Sequence, residues 1–286
     1  MVKKSCLSLV AVALLIPGLY AQTVDEIIAK NIQARGGLDK IKAVKSIKTT
    51  VTMSMGPGME APGTMVQKRP EMARLEFTIQ GLTAVQAFDG SKAWQIMPFT
   101  GKKDPELMSA DDTKEMEEMA DLEGPLVDYK AKGHTVELLG KEKIEGTDAY
   151  KLKVTLKNGD VQTEYIDADS FLEIQEDSTR TVRGSERNFV SSIGDYKEVD
   201  GLIFPFAIES GMKGSDQKQK ITISKIELNV PVDDSEFKMP PPPPAPAAPA
   251  AAPAAAPAAA EPPKAATPAS PDAPKTPPVP PTPPNK

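Results

Sequence analysis

Apolar residues recur every three or four positions near the start of the chain, then every second position for most of its length. Val24, Ile27, Ile28 and Ile32 fall on one face of a helix that Thr23 and Glu26 open as a capping box. Gly36-Gly37 ends it, and Leu38 to Val44 reads as a second short helix. After Lys45 the period becomes 2. Ile47, Val51, Met53 and Met55 alternate with polar positions, as do Leu75, Phe77 and Ile79, and then Tyr150, Leu152, Val154 and Leu156. Turn signals at Gly56-Pro57-Gly58, Asp89-Gly90, Asn158-Gly159 and Asp200-Gly201 separate the runs. The pattern predicts an antiparallel meander of about ten strands with one apolar and one wet face. Ile221 and Ile223 are out of phase with Ile226, Leu228 and Val230, which predicts a β-bulge near Ser224-Lys225.

One stretch departs from the alternation. Asp104 to Tyr129 is acidic and helix-prone, with Met108, Met116, Met119, Leu122 and Leu126 as its apolar positions. Such a helix has to bury that face, and the apolar side of the sheet is the available surface. A sheet that curls around a helix leaves room for a ligand beneath it.

The ends set the compartment and the domain limits. Lys3 and Lys4, the apolar run Leu7–Ile16, the break at Pro17-Gly18 and the small residue Ala21 have the layout of a secretory signal peptide over residues 1–21. That run is too short for a transmembrane span. Cys6, the single cysteine, precedes the run and so cannot become a lipidated mature N-terminus. Without residues 1–21 the chain has no thiol, and its formal net charge moves from −6 to −8. A thiolate metal site, a cysteine nucleophile and a basic nucleic-acid surface are thereby excluded. From Pro240 onward, 47 residues hold 20 of the 29 prolines. Proline has no amide donor and alanine little apolar area, so residues 240–286 are expected to form a disordered, semi-extended tail. The tail is expected to be a solubilising extension, with a reach across the envelope or a ligand for a wall-associated partner as the alternative. Residues 22–239 remain for one domain.

Candidate catalytic groups are sparse. His134, the one histidine, lies between Gly133 and Thr135 at a strand start, where a surface role is the ordinary one. No Ser-His-Asp or Cys-His set can be assembled around it, and the chain is expected not to be an enzyme. Asp111, Asp112, Glu115, Glu117 and Glu118 fit a solvated helix face better than an acid–base pair. Asp167-x-Asp169 lacks the glycine and closing glutamate of a calcium loop and reads as a turn. Met53, Met55, Met59 and Met65 suit an adaptable apolar lip, with cuprous copper as the rival reading. Neither a metal nor a cofactor is expected.

The stretch Gly63–Phe99 resembles the periplasmic outer-membrane lipoprotein-sorting carriers, the LolA/LolB-like proteins. The residues that carry the likeness are Lys68-Arg69-Pro70, Leu75-Glu76-Phe77, Asp89-Gly90-Ser91-Lys92 with Trp94, and Pro98-Phe99. Val232-Asp233-Asp234-Ser235-Glu236-Phe237, closing on Met239-Pro240, matches the end of the domain. The resemblance implies an unclosed half-barrel covered by lid helices, with an apolar cavity for the acyl chains of a lipid or lipoprotein. It places Arg69 as a latch that hydrogen-bonds lid carbonyls, a task a five-donor guanidinium suits; the alternative is a strand arginine facing water. Val66, Leu75, Phe77, Ile79, Trp94 and Ile96 are the candidates for the cavity wall.

The expected function is therefore a periplasmic carrier for lipoprotein or lipid acyl chains, with membrane sorting machinery as possible partners. It is not an integral membrane protein and does not bind nucleic acid. The alternative is an envelope sensor or scaffold that uses the same fold for protein interaction.

Overall fold

Thr23 caps the first helix as its sequence requires. Its hydroxyl accepts from the Glu26 amide, and the Glu26 carboxylate accepts from the Thr23 amide at 2.8 Å. The computed structural model describes residues 22–54, 56, 58–182 and 185–241. The expected signal peptide and nearly all of the Pro/Ala tail lie outside them. Among the described residues three α-helices, α1 (Val24–Ala34), α2 (Leu38–Ala43) and α3 (Ala110–Ala120), accompany fifteen strands. These are β1 (Ser46–Ser54), β2 (Glu60–Lys68), β3 (Met72–Ile79), β4 (Leu82–Phe88), β5 (Ala93–Met97), β6 (Lys102–Leu107), β7 (Thr135–Ile144) and β8 (Thr147–Thr155). They continue with β9 (Val161–Asp167), β10 (Glu173–Val182), β11 (Ser185–Gly194), β12 (Lys197–Val199), β13 (Leu202–Phe204), β14 (Ala207–Met212) and β15 (Lys218–Leu228).

Thirteen strands form one unclosed antiparallel sheet in the order β6-β5-β4-β3-β2-β1-β15-β14-β11-β10-β9-β8-β7, and β12-β13 form a separate hairpin. The chain runs outward from β1 to the β6 edge, crosses through α3 and residues 121–134, and restarts at the β7 edge. It then returns strand by strand until β15 pairs with β1. The count exceeds the ten expected because short and charged strands such as β6, with Lys102, Lys103 and Glu106, carry no apolar alternation.

All three helices lie over one face, called here the inner face. Ile27 and Ile28 of α1 pack on Tyr150, Leu152, Val154 and Leu156 of the β8 region. Ile41 of α2 packs with Ile47, Leu202, Phe206 and Ile226. Met116 and Ala120 of α3 sit on Ala73, Phe88 and Ala93. The bulge falls where expected: Thr50 pairs with Lys225 and Val51 with Ile223, leaving Ser224 as the extra residue. It keeps Ile221, Ile223, Ile226 and Leu228 all on the inner face, because one added residue offsets the two-residue period.

The expected helix over Asp104–Tyr129 is broken in three. Asp104–Leu107 belong to edge strand β6, α3 covers only Ala110–Ala120, and residues 121–134 are turns. Pro105 has no amide for a helix interior but is tolerated on an edge strand. Ser109 supplies the real N-cap, accepting from the Asp112 amide at 3.1 Å, and Gly124-Pro125 prevents continuation.

The opposite, outer face is covered over β2–β5 by the C-terminal segment. Phe237, in a 3-10 turn (Asp234–Phe237), is 0% exposed and packs on Val66 and Met72. Among the described residues no helix is long and apolar enough to cross a membrane.

Candidate functional site

Strand register sorts the candidate wall residues onto two faces. Leu75 pairs with Met65, and Phe77 with Gly63. Met65 and Gly63 pair in turn with Thr49 and Val51 of β1. Leu75, Phe77 and Ile79 are therefore inner-face residues. Val66 pairs with Lys48 and Arg74, Arg74 pairs with Ala87, and Ala87 pairs with Trp94. Val66, Trp94 and Ile96 thus point outward, a correction to the expected wall. Trp94 is 2% exposed beside Val85, Ala87 and Ile96, and its indole N–H donates to the Phe237 carbonyl at 2.7 Å. A buried indole needs such an acceptor, and the C-terminal segment supplies it. Alternation along β5 marks Trp94 and Ile96 as a pair but cannot say which side they face.

The inner face carries an apolar strip that, among the described residues, meets a helix cluster only at its Ile223 end, where α2 packs. Its centre is Val51, Met53 and Ala61, flanked by the half-buried Phe77, Ile79, Ile221 and Ile223. Register extends the strip through Ile208, opposite Ile221, to Ile193, opposite Ile208. Phe99 reaches the Phe77 ring at a centroid distance of 5.9 Å. Gly63 lies in this strip because its neighbours leave no room: a Cβ there would stand 2.6 Å from the Glu76 carbonyl oxygen.

Arg69 stands at the junction of sheet, helix and crossover. Its Nε donates to the Val44 carbonyl at 2.6 Å and its Nη2 to the Ile41 carbonyl at 3.2 Å, at the C-terminal end of α2. The same Nη2 lies 2.7 Å from Glu123 Oε1, a carboxylate in the crossover segment that is 5% exposed as a residue. Lys132 reinforces the segment, with Nζ 2.5 Å from Asp121 and donating to the Gly124 carbonyl at 2.8 Å. One guanidinium thus joins α2 to the segment that follows α3. α3 itself is held by Gln67, whose Nε2 donates to the Met119 carbonyl at 2.5 Å, and by Arg180, 3.2 Å from Glu115.

A second set of inner-face residues is charged and was not singled out by the sequence. Gln162 and Glu164 on β9 lie across from Ser178 and Glu176 on β10, with Glu173 further along. Glu164 is 3% exposed, and burial, then repulsion from Glu176, pushes its carboxyl up to about 7. Burial, then Glu164 and Glu176, raises Glu173 as well. Both open onto a cavity of ≈ 380 Å³ roofed by Leu122, Pro125 and Leu126, with Arg35 and Tyr196 at its side. The one possible signal was Gln162 and Glu164 in phase with Ile166, and a period-2 pattern does not reveal which phase is buried.

His134 is a structural residue: its Nδ1 accepts from the Lys157 amide at 3.0 Å, and burial lowers its pKa. Asp167 forms the expected turn, accepting from the Asp169 and Ser170 amides.

This architecture, an unclosed antiparallel half-barrel with helices on its inner face, is that of the LolA-superfamily structures. A LolA-superfamily protein from Nitrosomonas europaea superposes with a TM-score of 0.52 at 14% identity, over 76% of this chain and 98% of that one. A DUF1329-family protein from Desulfovibrio piger gives 0.53 at 12% identity, over 75% and 97%. A domain from Vibrio parahaemolyticus assigned to outer membrane lipoprotein sorting gives 0.50 at 12%, over 73% and 94%. The likeness is one of fold. No family model matches the chain, and no curated protein matches it by sequence.

Proposed function

We propose that the protein is a periplasmic carrier that holds the acyl chain of a lipid or lipoprotein on the inner-face strip. The observation that carries this reading is the strip itself: Phe77, Ile79 and Ile221 are apolar, contiguous and half-buried, and among the described residues they lie outside the clusters that α1, α2 and α3 cover, while Ile223 borders the α2 cluster. A saturated chain laid along it gains about 0.8 kcal/mol per buried methylene, so ten methylenes supply about 8 kcal/mol before ordering costs. The half-barrel fold, which a lipoprotein-sorting domain shares, supports the same reading. Arg69 serves as the latch: by tying the end of α2 to the crossover segment it limits how far the helices part over the strip. The reaction asked of the site is binding and release, with no catalytic step.

The test is organic extraction and mass spectrometry of the protein purified from its own envelope, with a fatty-acid titration of the delipidated chain. A co-purifying lipid and saturable binding that Phe77→Glu and Ile221→Glu abolish are expected. A delipidated chain that binds no fatty acid and yields no lipid overturns the carrier reading and leaves the sensor or scaffold.

A further inference from the structure

The strip runs into the small charged cavity. Ile193 and Ile208 belong to both, since they continue the apolar row and also line the ≈ 380 Å³ space. An amphiphile whose chain lies on the strip therefore has one polar destination within the same face. That destination is unusual in its charge. Glu164 and Glu173 line it with Asp121, Glu176 lies beside them on the inner face of β10, and Arg35 is the one cation in its lining.

Arg35 favours the charged forms of Glu164 and Glu173 from a distance but does not pair with them. Among the described residues it makes no ion pair within 4 Å, and neither Glu164 nor Glu173 has one. The Glu164 carboxylate takes a single hydrogen bond, from Gln162 Nε2 to Oε1 at 3.2 Å, within the same strand. Its other oxygen has no hydrogen-bond partner. Yet no buried side-chain oxygen or nitrogen is both sealed and unpartnered, so Oε2 opens onto the cavity that Glu164 lines. A carboxylate this deep, facing the cavity without an ion pair, is costly, and either a proton or a cation that completes it relieves that cost. The Tyr196 hydroxyl does not, because it is spent on the Glu173 backbone carbonyl at 2.7 Å.

We infer that this cavity receives the ammonium group of an amine-bearing lipid whose chain occupies the strip. The inference rests on the acyl-binding reading and adds to it a head-group class. An ammonium brings three donors, enough for Glu164 Oε2 and the Glu173 carboxylate together, and a primary amine suits the cavity volume. An anionic head would meet the Glu164 and Glu173 carboxyl groups, and a neutral sugar would bring them no counter-ion.

The experiment compares twelve-carbon amphiphiles below their micelle concentrations by calorimetry at pH 7.5, using the full delipidated chain: dodecylammonium, dodecyl maltoside and dodecyl sulfate, with ethylammonium as the chain-free amine. Dodecylammonium is expected to bind about tenfold or more tighter than dodecyl maltoside, the range of a charge-assisted hydrogen bond. The double variant Glu164→Gln, Glu173→Gln should lose that preference while keeping its affinity for dodecyl maltoside, which also reports that it has folded. The exposed-site control Glu137→Gln should keep the preference. Equal affinity for the ammonium and maltoside heads overturns the inference and leaves the acyl reading standing. A preference that survives in the double variant, or that Glu137→Gln also removes, overturns it too. Ethylammonium binding as tightly as dodecylammonium assigns the cavity to a free amine and overturns the lipid form. Failure of every amphiphile to bind overturns the acyl reading and this one with it.

Discussion

Trp94 and Phe237 are joined across 143 residues of chain by a buried hydrogen bond of 2.7 Å, from the indole Nε1 to the Phe237 carbonyl. Around it, Lys68 Nζ donates to the Val232 carbonyl at 2.6 Å and Arg74 Nη1 to the Glu236 carbonyl at 2.7 Å. The segment after β15 is thus stitched to β2, β3 and β5, and it closes the outer face that a half-barrel otherwise leaves wet.

Truncation separates this segment from the tail beyond it. Ending the chain after Pro241 should leave the urea midpoint nearly unchanged, since proline and alanine add little apolar core. Ending it after Asn229 removes Phe237, and Phe237→Ala alone should cost about 3–5 kcal/mol, as for a fully buried aromatic. Urea unfolding followed by Trp94 fluorescence measures both. A Phe237→Ala loss below about 1 kcal/mol would mean the segment is not part of the core.

Arg69 and Glu123 should behave as a coupled pair. Arg69→Leu leaves Glu123 buried, with Lys132 at 3.6 Å as its remaining cation, and should destabilise by about 2–4 kcal/mol. Adding Glu123→Gln should recover part of that loss, giving a coupling energy of at least about 1 kcal/mol in a double-mutant cycle. Additive losses would count against the pairing. In the carrier reading Arg69→Leu, once folded, also retains bound fatty acid longer, measured as a slower off-rate to an acceptor vesicle.

Acid should help this fold before it harms it. The Glu164 carboxyl sits at about 7 in the folded chain against an ordinary 4.5, chiefly because it is buried. The folded state then holds the proton that the unfolded state releases, so stability falls as pH rises from about 4.5 to about 7 and is flat in this group outside that window. Glu118, raised to about 7 chiefly by burial, acts in the same sense. Glu164→Gln should therefore remove only part of the slope, on the order of 1–3 kcal/mol across the window. Urea midpoints at pH 5 and pH 8 decide it; an unchanged slope in the variant would show that Glu164 titrates normally.

Deleting Ser224 tests the bulge. Without the extra residue, either Ile221 and Ile223 or Ile226 and Leu228 must turn to the outer face, because register in a strand alternates strictly. The deletion should cost at least about 3 kcal/mol or abolish folding, while Ser224→Ala, which loses only the 3.2 Å bond to the Thr50 carbonyl, should cost under about 1 kcal/mol. Circular dichroism and fatty-acid binding report the two. Normal binding by the deletion variant would rule out the assigned register.

Local order was legible wherever the pattern and the cap chemistry agreed. The α1 capping box, the alternation of β1, β3 and β8, and the bulge at Ser224 are short-range features set by dihedral preference and side-chain period, and a sequence carries them in full. Arg69 was singled out through its motif, whereas Glu123, with which it pairs, was read as part of one long helix. Three things were decided only in the folded chain. Which face Trp94 and Ile96 occupy depended on where the segment after β15 came to rest, and alternation is symmetric between faces. That Asp104–Leu107 became a strand depended on β6 finding β5 as a hydrogen-bonding partner, since Pro105 only disfavours a helix there. The burial of Glu164 and the partial burial of Glu173 depended on the crossover residues Leu122, Pro125 and Leu126, which line the same cavity. Burial and charge pairing are properties of distant segments brought together, and no window along the chain contains them.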